Sequence, residues 1–259
     1  MLGPPRSPRL ALAVSDRWQS VTMTWLEQTM VGFDTETTGV STATDRIVTA
    51  ALITRTGRGP EASVSTRTWL IDPGVSIPGG ATAVHGITDA MVQSEGQAPA
   101  DALEEIAGVL AGALSAGFPL VAFNAQFDIT ILEAELARHG LPSLVSRLET
   151  DDIRPVVDPL VLDRHLDRWR RGKRRLINMC EVYGVPVVAD DLHAADADVL
   201  ATLDVIQAIA VKYPELGSVA LPDLHDQQVE AHRKWATEFS AWLTSKGTVD
   251  DLPSPSWPV

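Results

Sequence analysis

Two acidic side chains follow a short apolar segment with a spacing that suits metal binding. The segment Met30–Phe33 is apolar, and Asp34 and Glu36 come directly after it. Because successive side chains of a β-strand point to opposite faces, Asp34 and Glu36 are predicted to project from the same face. Like charges held there repel unless a pKa rises or a cation binds. Carboxylate oxygens are the ligands that a hard cation such as Mg²⁺ prefers, so the pair predicts a metal site, with a solvated acidic strand end as the alternative.

Two later segments place polar residues at similar positions. Asn124-Ala125-Gln126-Phe127-Asp128 follows the apolar segment Leu120–Phe123 and begins a helical pattern, and His193-Ala194-Ala195-Asp196-Ala197-Asp198 begins another. In this order, the three segments resemble the motifs of the DEDD-type 3'–5' exonucleases in the variant that carries a histidine, a family that includes the proofreading subunit of bacterial DNA polymerase III. The matching residues are Asp34, Glu36, Thr38 and Gly39 in the first motif, Asn124, Phe127 and Asp128 in the second, and His193, Ala195 and Asp198 in the third. The resemblance extends over roughly residues 28–211.

This resemblance implies a set of site residues. Asp34, Glu36, Asp128 and Asp198 are expected to hold two Mg²⁺ or Mn²⁺ ions. His193 is expected to act as the general base, since the ordinary pKa of histidine lies near neutrality. The residues expected to contact the terminal nucleotide are Thr37, Thr38, Gly39, His85, Asn124 and Phe127. Two alternatives stay open: Asn124 as a helix cap and Phe127 as a core residue.

The expected reaction is release of nucleoside 5'-monophosphates from the 3' end of single-stranded DNA. A DNA polymerase subunit is a candidate partner. The motifs do not distinguish DNA from RNA, so a 3'–5' exoribonuclease acting on RNA or short oligoribonucleotides is the alternative. The presence of all five catalytic-type residues argues against a non-catalytic interaction module.

Composition limits the other possibilities. The chain has 259 residues, a net charge of -13 and 45% hydrophobic residues, which suits a sizeable core and disfavours a histone-like role. Its single cysteine, Cys180, has no partner for an internal disulfide. Without a recognisable secretory signal or membrane helix, a cytoplasmic protein that does not contact membranes is expected.

The order of the elements predicts an α/β fold. Strands are expected at residues 30–34, 47–54 and 63–71, in an antiparallel arrangement, followed by alternating helices and strands. This agrees with the ribonuclease H-like three-layer fold, a mixed central sheet flanked by helices, that the resemblance implies. The expected domains are a disordered extension at residues 1–27, an exonuclease domain at 28–213, and an amphipathic helix with a proline-rich tail at 214–259.

Each of two further segments has two possible interpretations. A basic segment, Arg164–Arg175, contains Trp169 and lies between the second and third motifs. We favour a surface that binds the phosphates of a single strand over a solvated helix face. In the C-terminal helix, Trp235, Phe239 and Trp242 recur at helical spacing, and we favour packing onto the core over binding of a partner.

Overall fold

Five strands of the computed structural model, which describes residues 24–187, 194–250 and 252–259, form one mixed sheet. The strands are β1 (Thr29–Thr37), β2 (Ile47–Thr56), β3 (Ser63–Leu70), β4 (Leu120–Val121) and β5 (Val156–Val157). Their order is β3-β2-β1-β4-β5. The β1–β2 and β2–β3 pairs are antiparallel, whereas β4 joins β1, and β5 joins β4, in parallel. The predicted antiparallel start of the sheet is therefore confirmed.

Helices cover the two faces of this sheet. The helices of the described residues are α1 (Gly79–His85), α2 (Asp89–Glu95), α3 (Pro99–Ser115), α4 (Ala125–Arg138), α5 (Leu144–Leu148), α6 (Pro159–Leu166), α7 (Leu176–Tyr183), α8 (Ala195–Lys212) and α9 (Leu221–Ser245). This arrangement confirms the expected α/β fold with a mixed central sheet between helices. Pro99 occupies the first turn of α3 and Ala98 is its N-cap residue, so Asp101, a residue type that suits an N-cap, lies within the first turn instead.

The alternation of side chains along β1 divides the core in two. Val31 and Phe33 belong to the cluster that includes residues of α3 and α4, while Met30 belongs to the cluster that includes residues of α7 and α8. Gly32 lies on the α8 side, where an added Cβ would stand 2.4 Å from Val199 Cγ1. The absence of a side chain at Gly32 thus allows α8 to approach β1 closely at Val199, the residue that follows Asp198.

Both ends of the described chain contain buried apolar residues. Residues 25–27 form a 3-10 turn in which Trp25 and Leu26 are buried. At the other end, Trp257 is buried in the core cluster of α3 and α4 and its ring lies 5.2 Å from that of His225. The burial of these apolar rings ties both segments to the domain.

Helix α9 packs through a different face than expected. Its buried residues are Leu224, His225, Gln228, His232 and Ala236. The aromatic residues predicted to pack onto the core are instead partly exposed, with exposed fractions of 38% for Phe239 and 53% for Trp242. The prediction that this helix packs onto the core is confirmed, but the packed face carries His225 and Gln228, which bond to Val156 of β5, and not Phe239 and Trp242. Across the residues that the structure describes, no helix is long and apolar enough to cross a membrane.

Candidate active site

Three carboxylates meet at the end of β1. Asp34 and Glu36 project toward α8, and Asp198 lies in the first turn of that helix. One ligand oxygen from each of the three lies within 4.8 Å of the others. The same-face prediction for Asp34 and Glu36 therefore agrees with the geometry, and these oxygens suit a hard divalent cation.

The electrostatics of this cluster are unfavourable without a cation. Burial, followed by repulsion from Asp128, Asp198 and Glu36, raises the pKa of Asp34 well above its usual value. Burial and then repulsion from Asp198 and Asp128 raise the pKa of Glu36 to about 7. Because a bound cation favours the charged form, the cluster has both the donor atoms and the electrostatic reason to bind one.

Asp128 approaches the cluster from the opposite face of the sheet. Its Oδ1 accepts hydrogen bonds from the Thr35 backbone N–H at 3.0 Å and the Thr35 hydroxyl at 2.7 Å. Burial raises the pKa of Asp128 to about 7, and these two hydrogen bonds oppose the shift. Asp128 lies outside the three-ligand group, although it is close enough to raise the pKa of Asp34 and Glu36. Its role as a metal ligand remains a prediction.

A residue that the motifs do not contain positions Asp128. Asp158 is 1% exposed and accepts hydrogen bonds from the backbone N–H groups of Asn124 at 3.1 Å and Ala125 at 3.0 Å, which begin α4. It also caps α6 by accepting from the Leu160 N–H at 2.8 Å. The Asp-Pro pair at the start of a helical pattern is the sequence signal that identifies this cap.

The structure decides one alternative for Asn124. Its backbone is left-handed, with φ 64° and ψ 44°, and its side chain makes no capping hydrogen bond. Asparagine tolerates this conformation better than most residues. Asn124 therefore occupies the N-cap position of α4 without a side-chain capping bond, and its exposed amide stays a candidate substrate contact.

A pocket of about 320 Å³ opens beside Glu36 and is also lined by His85, Trp69, Met91 and Ala195. His85 Nδ1 accepts from the Ile87 N–H at 3.0 Å, so Nε2 carries the proton of the neutral ring. This Nε2 is buried and has no hydrogen-bond partner among the described residues. Burial lowers the pKa of His85. The nearby Thr37 backbone opposes this shift, although it forms no hydrogen bond of normal geometry with Nε2.

The remaining residues of the first motif make contacts within the protein. Thr38 is buried, and its hydroxyl donates to Asp45 Oδ1 at 3.1 Å. A Cβ on Gly39 would lie 2.5 Å from Asp45 Oδ2. The Thr37 hydroxyl donates to the Gly39 carbonyl at 2.6 Å. These contacts shape the connection from β1 to β2, and the predicted nucleotide contacts stay predictions.

Two other predicted residues have different outcomes. Phe127 packs against the core cluster of α3 and α4 while remaining partly exposed, which agrees with the core interpretation. His193 lies outside the described residues. Ala194, its neighbour in sequence, lines the pocket beside Glu36.

The structure corrects the interpretation of part of the basic segment. Arg170 and Arg174 pair with the fully buried Asp163, at 2.8 Å and 2.6 Å, and Tyr183 donates to the same carboxylate at 2.7 Å. These two arginines neutralise a buried charge and are not part of a free phosphate-binding surface. By contrast, Arg171, Lys173 and Arg175 are exposed and form no ion pair within the described part of the chain.

Comparison with known families identifies the class of protein. The family model described as "Exonuclease" (RNase T) matches residues 31–206, which contain α4 and most of β1 and α8. The chain belongs to this exonuclease family.

Similar proteins carry the same domain within longer chains. The "DNA polymerase III subunit epsilon-like protein" of Rhodobacter capsulatus is 33% identical over 177 residues, covering 68% of this chain and 23% of that protein. The "DNA polymerase III PolC-type" of Caldanaerobacter subterraneus is 26% identical over 205 residues, covering 79% of this chain and 13% of that protein. The chain therefore spans less than a quarter of the length of either relative.

A solved structure supports the fold. E. coli exonuclease I in complex with a dA16 oligonucleotide superposes with a TM-score of 0.62 at 19% identity, covering 80% of this chain and 44% of that one. This superposition supports the ribonuclease H-like fold. At 19% identity it does not assign a substrate.

Proposed function

We propose that this protein is a metal-dependent 3'–5' exonuclease that releases nucleoside 5'-monophosphates from single-stranded DNA ends. The observation that carries the proposal is the group of Asp34, Glu36 and Asp198, with ligand oxygens within 4.8 Å of one another and strongly raised carboxylate pKa values. The relatives named for DNA polymerase III favour DNA over RNA as substrate and a polymerase as partner.

The carboxylates fit the proposed Mg²⁺ or Mn²⁺ ions in donor type and charge. Asp34, Glu36 and Asp198 would hold them, with Asp128 close by. When bound, such ions would supply a water of lowered pKa and stabilise negative charge on the leaving oxygen.

The protein's own residues supply the remaining functions in this proposal. The buried Nε2–H of His85 forms no hydrogen bond of normal geometry with a described residue, so it is suited to donate to an oxygen of the terminal nucleotide in the neighbouring pocket. Thr35 fixes the orientation of Asp128 through two hydrogen bonds. His193 would accept the proton of the attacking water.

Product analysis with end-labelled strands tests the proposal. DNA and RNA strands of one sequence are incubated with Mg²⁺, with Mn²⁺ or with chelator. We expect labelled mononucleotide to appear first from the 3' end of DNA, reversible loss of activity in chelator, and inhibition by a 3'-phosphate. Full activity in excess chelator contradicts the metal mechanism, and faster release from RNA supports the ribonuclease alternative.

A pair of variants separates the site from general charge effects. Asp34→Asn removes one charge from the cluster and is expected to abolish turnover. Asp101→Asn removes an equivalent charge from the first turn of α3, where the side chain is exposed. We expect the Asp101 variant to retain wild-type activity.

A further inference from the structure

A groove between α6 and α9 combines exposed aromatic rings with arginines. We call it the α6–α9 groove. It has a volume of about 260 Å³, and the lining residues used below are Arg164, Arg168, Trp169, Trp235, Phe239 and Trp242. It continues into a wider depression of about 740 Å³ that shares Arg164 and Trp235.

The aromatic rings of α9 form an ordered row. Trp235 and Phe239 stack with centroids 5.5 Å apart and an interplanar angle of 18°, and Phe239 and Trp242 follow at 5.6 Å and 11°. Phe239 lies between the other two rings, whereas Trp242, at the end of the row, is 53% exposed. Trp169, across the groove, is 83% exposed. Flat rings held open in this way are suited to stacking with unpaired bases.

Arg164 gives the groove an unneutralised positive charge. Its guanidinium lies 3.7 Å from the centroid of the Trp235 ring and forms no ion pair within the described part of the chain. Burial, with repulsion from Arg174, lowers its pKa to about 10 against the attraction of Asp158 and Asp163. A partly buried cation without a partner is stabilised by an incoming anion such as a phosphate.

The acidic residues of the groove and its wider depression are already neutralised. The pairs are Asp226 with Arg154 at 2.7 Å, Glu230 with Arg233 at 2.7 Å, and Glu238 with Arg168 at 2.6 Å. Lys234, which also lines the depression, forms no ion pair with a described residue. Arg164 and Lys234 are therefore the basic residues of this surface without an ion-pair partner among the described residues, although the chain carries a charge of -13.

Hydrogen bonds connect α9, which lines this groove, to the start of α4, the helix that carries Asp128. Gln228 of α9 accepts from the Asp158 backbone N–H at 2.7 Å, and the Asp158 carboxylate holds the start of α4. From Gln228, α9 continues for about 10 Å to Trp235 and about 21 Å to Trp242, at 1.5 Å per residue.

From these observations we propose that the α6–α9 groove binds the single strand upstream of its 3' end, with bases on the exposed rings of Trp169 and Trp242 and a phosphate on Arg164. This inference rests on the proposed nuclease function and extends it to a second binding surface. The groove would hold long strands, whereas a dinucleotide at the carboxylates would not reach it.

Binding of a labelled single-stranded DNA of about 12 nucleotides to the full chain, measured in chelator, tests the groove. The two exposed rings are replaced in Trp169→Leu and Trp242→Leu, which keep apolar bulk but lose the flat face. We expect each variant to bind the strand about five-fold or more weakly, the fold-change for roughly 1 kcal/mol of base stacking. Trp242→Tyr should retain most of the affinity.

A matched pair of arginine variants tests the contribution of charge to strand binding. Arg164→Gln should lower the salt slope of binding by about 0.7, the value for one lost phosphate contact on a single strand. Arg58→Gln removes an exposed arginine from the turn between β2 and β3, where it does not line the groove. We expect the Arg58 variant to match the wild type.

Turnover separates this inference from the proposed function. With metal present, the tryptophan variants should show a raised KM on the long strand and wild-type kcat on a dinucleotide. If the Trp169→Leu/Trp242→Leu protein binds and degrades the long strand as the wild type does, the inference is wrong and the nuclease function stands. If the wild type neither binds nor degrades any oligonucleotide, both are wrong.

Discussion

Replacing Gly32 by alanine tests whether close packing of α8 on β1 builds the site. The added Cβ would stand 2.4 Å from Val199 Cγ1 and 3.1 Å from Leu203 Cδ1. Carbon atoms pack at about 3.5–4.0 Å, so α8 must move outward by roughly 1 Å. Val199 cannot easily turn away, because a β-branched side chain in a helix has one strongly preferred rotamer.

The displacement predicts two separate losses. Overpacking of a core contact should lower the free energy of unfolding by about 1–3 kcal/mol. Asp198 precedes Val199 and moves with it, away from Asp34 and Glu36. A misplacement of about 1 Å at a catalytic group costs on the order of a hundred-fold in rate, which is the expected fall in kcat.

The assay is mononucleotide release from a 3'-labelled strand, together with denaturant unfolding and the Mg²⁺-induced shift in Tm. The Gly32→Ala/Val199→Ala protein lacks the clashing methyl and should recover much of kcat. Gly108→Ala serves as the control, because a Cβ there meets nothing within 4 Å. Wild-type kcat and stability in Gly32→Ala would refute the reasoning.

Four further outcomes are expected. Thr35→Val removes the 2.7 Å hydrogen bond to Asp128, which lowers the pKa of that carboxyl. The acidic limb of the pH–rate profile should therefore move to higher pH by about one unit. In the metal-free protein, carboxyls with folded-state pKa near 7 hold protons that the unfolded chain has lost, so Tm should fall as pH rises from about 4 to about 7. Added Mg²⁺ should reverse this fall in Tm, and a Tm that does not change over this pH range contradicts the raised pKa values. His193→Ala should lower kcat by roughly 10²–10⁴ with little change in strand affinity, and an unchanged kcat would make the histidine structural. Trp257→Ala should cost about 3–5 kcal/mol in unfolding free energy, and a loss below 1 kcal/mol would show that the tail is not part of the core.

Several features of this protein follow from local sequence alone. The period-two alternation of β1 places Asp34 and Glu36 on one face, because the geometry of a strand requires it. The end of α7 is also determined locally, since Gly184 ends the helix in the left-handed conformation that glycine adopts without strain. The antiparallel order of the first three strands follows from their short connections.

Other features depend on contacts between residues far apart in the chain. The meeting of Asp198 with Asp34 requires α8 to pack at Gly32, and Asp128 remains behind the strand because α4 lies on the other face and Thr35 holds its carboxylate. The burial of Asp163 removes Arg170 and Arg174 from the basic surface. Local sequence specifies backbone conformation and the spacing of side chains along one element. Which charges become paired, and which aromatic rings stay exposed, depends on the elements that pack against them, so the tertiary structure alone determines these features.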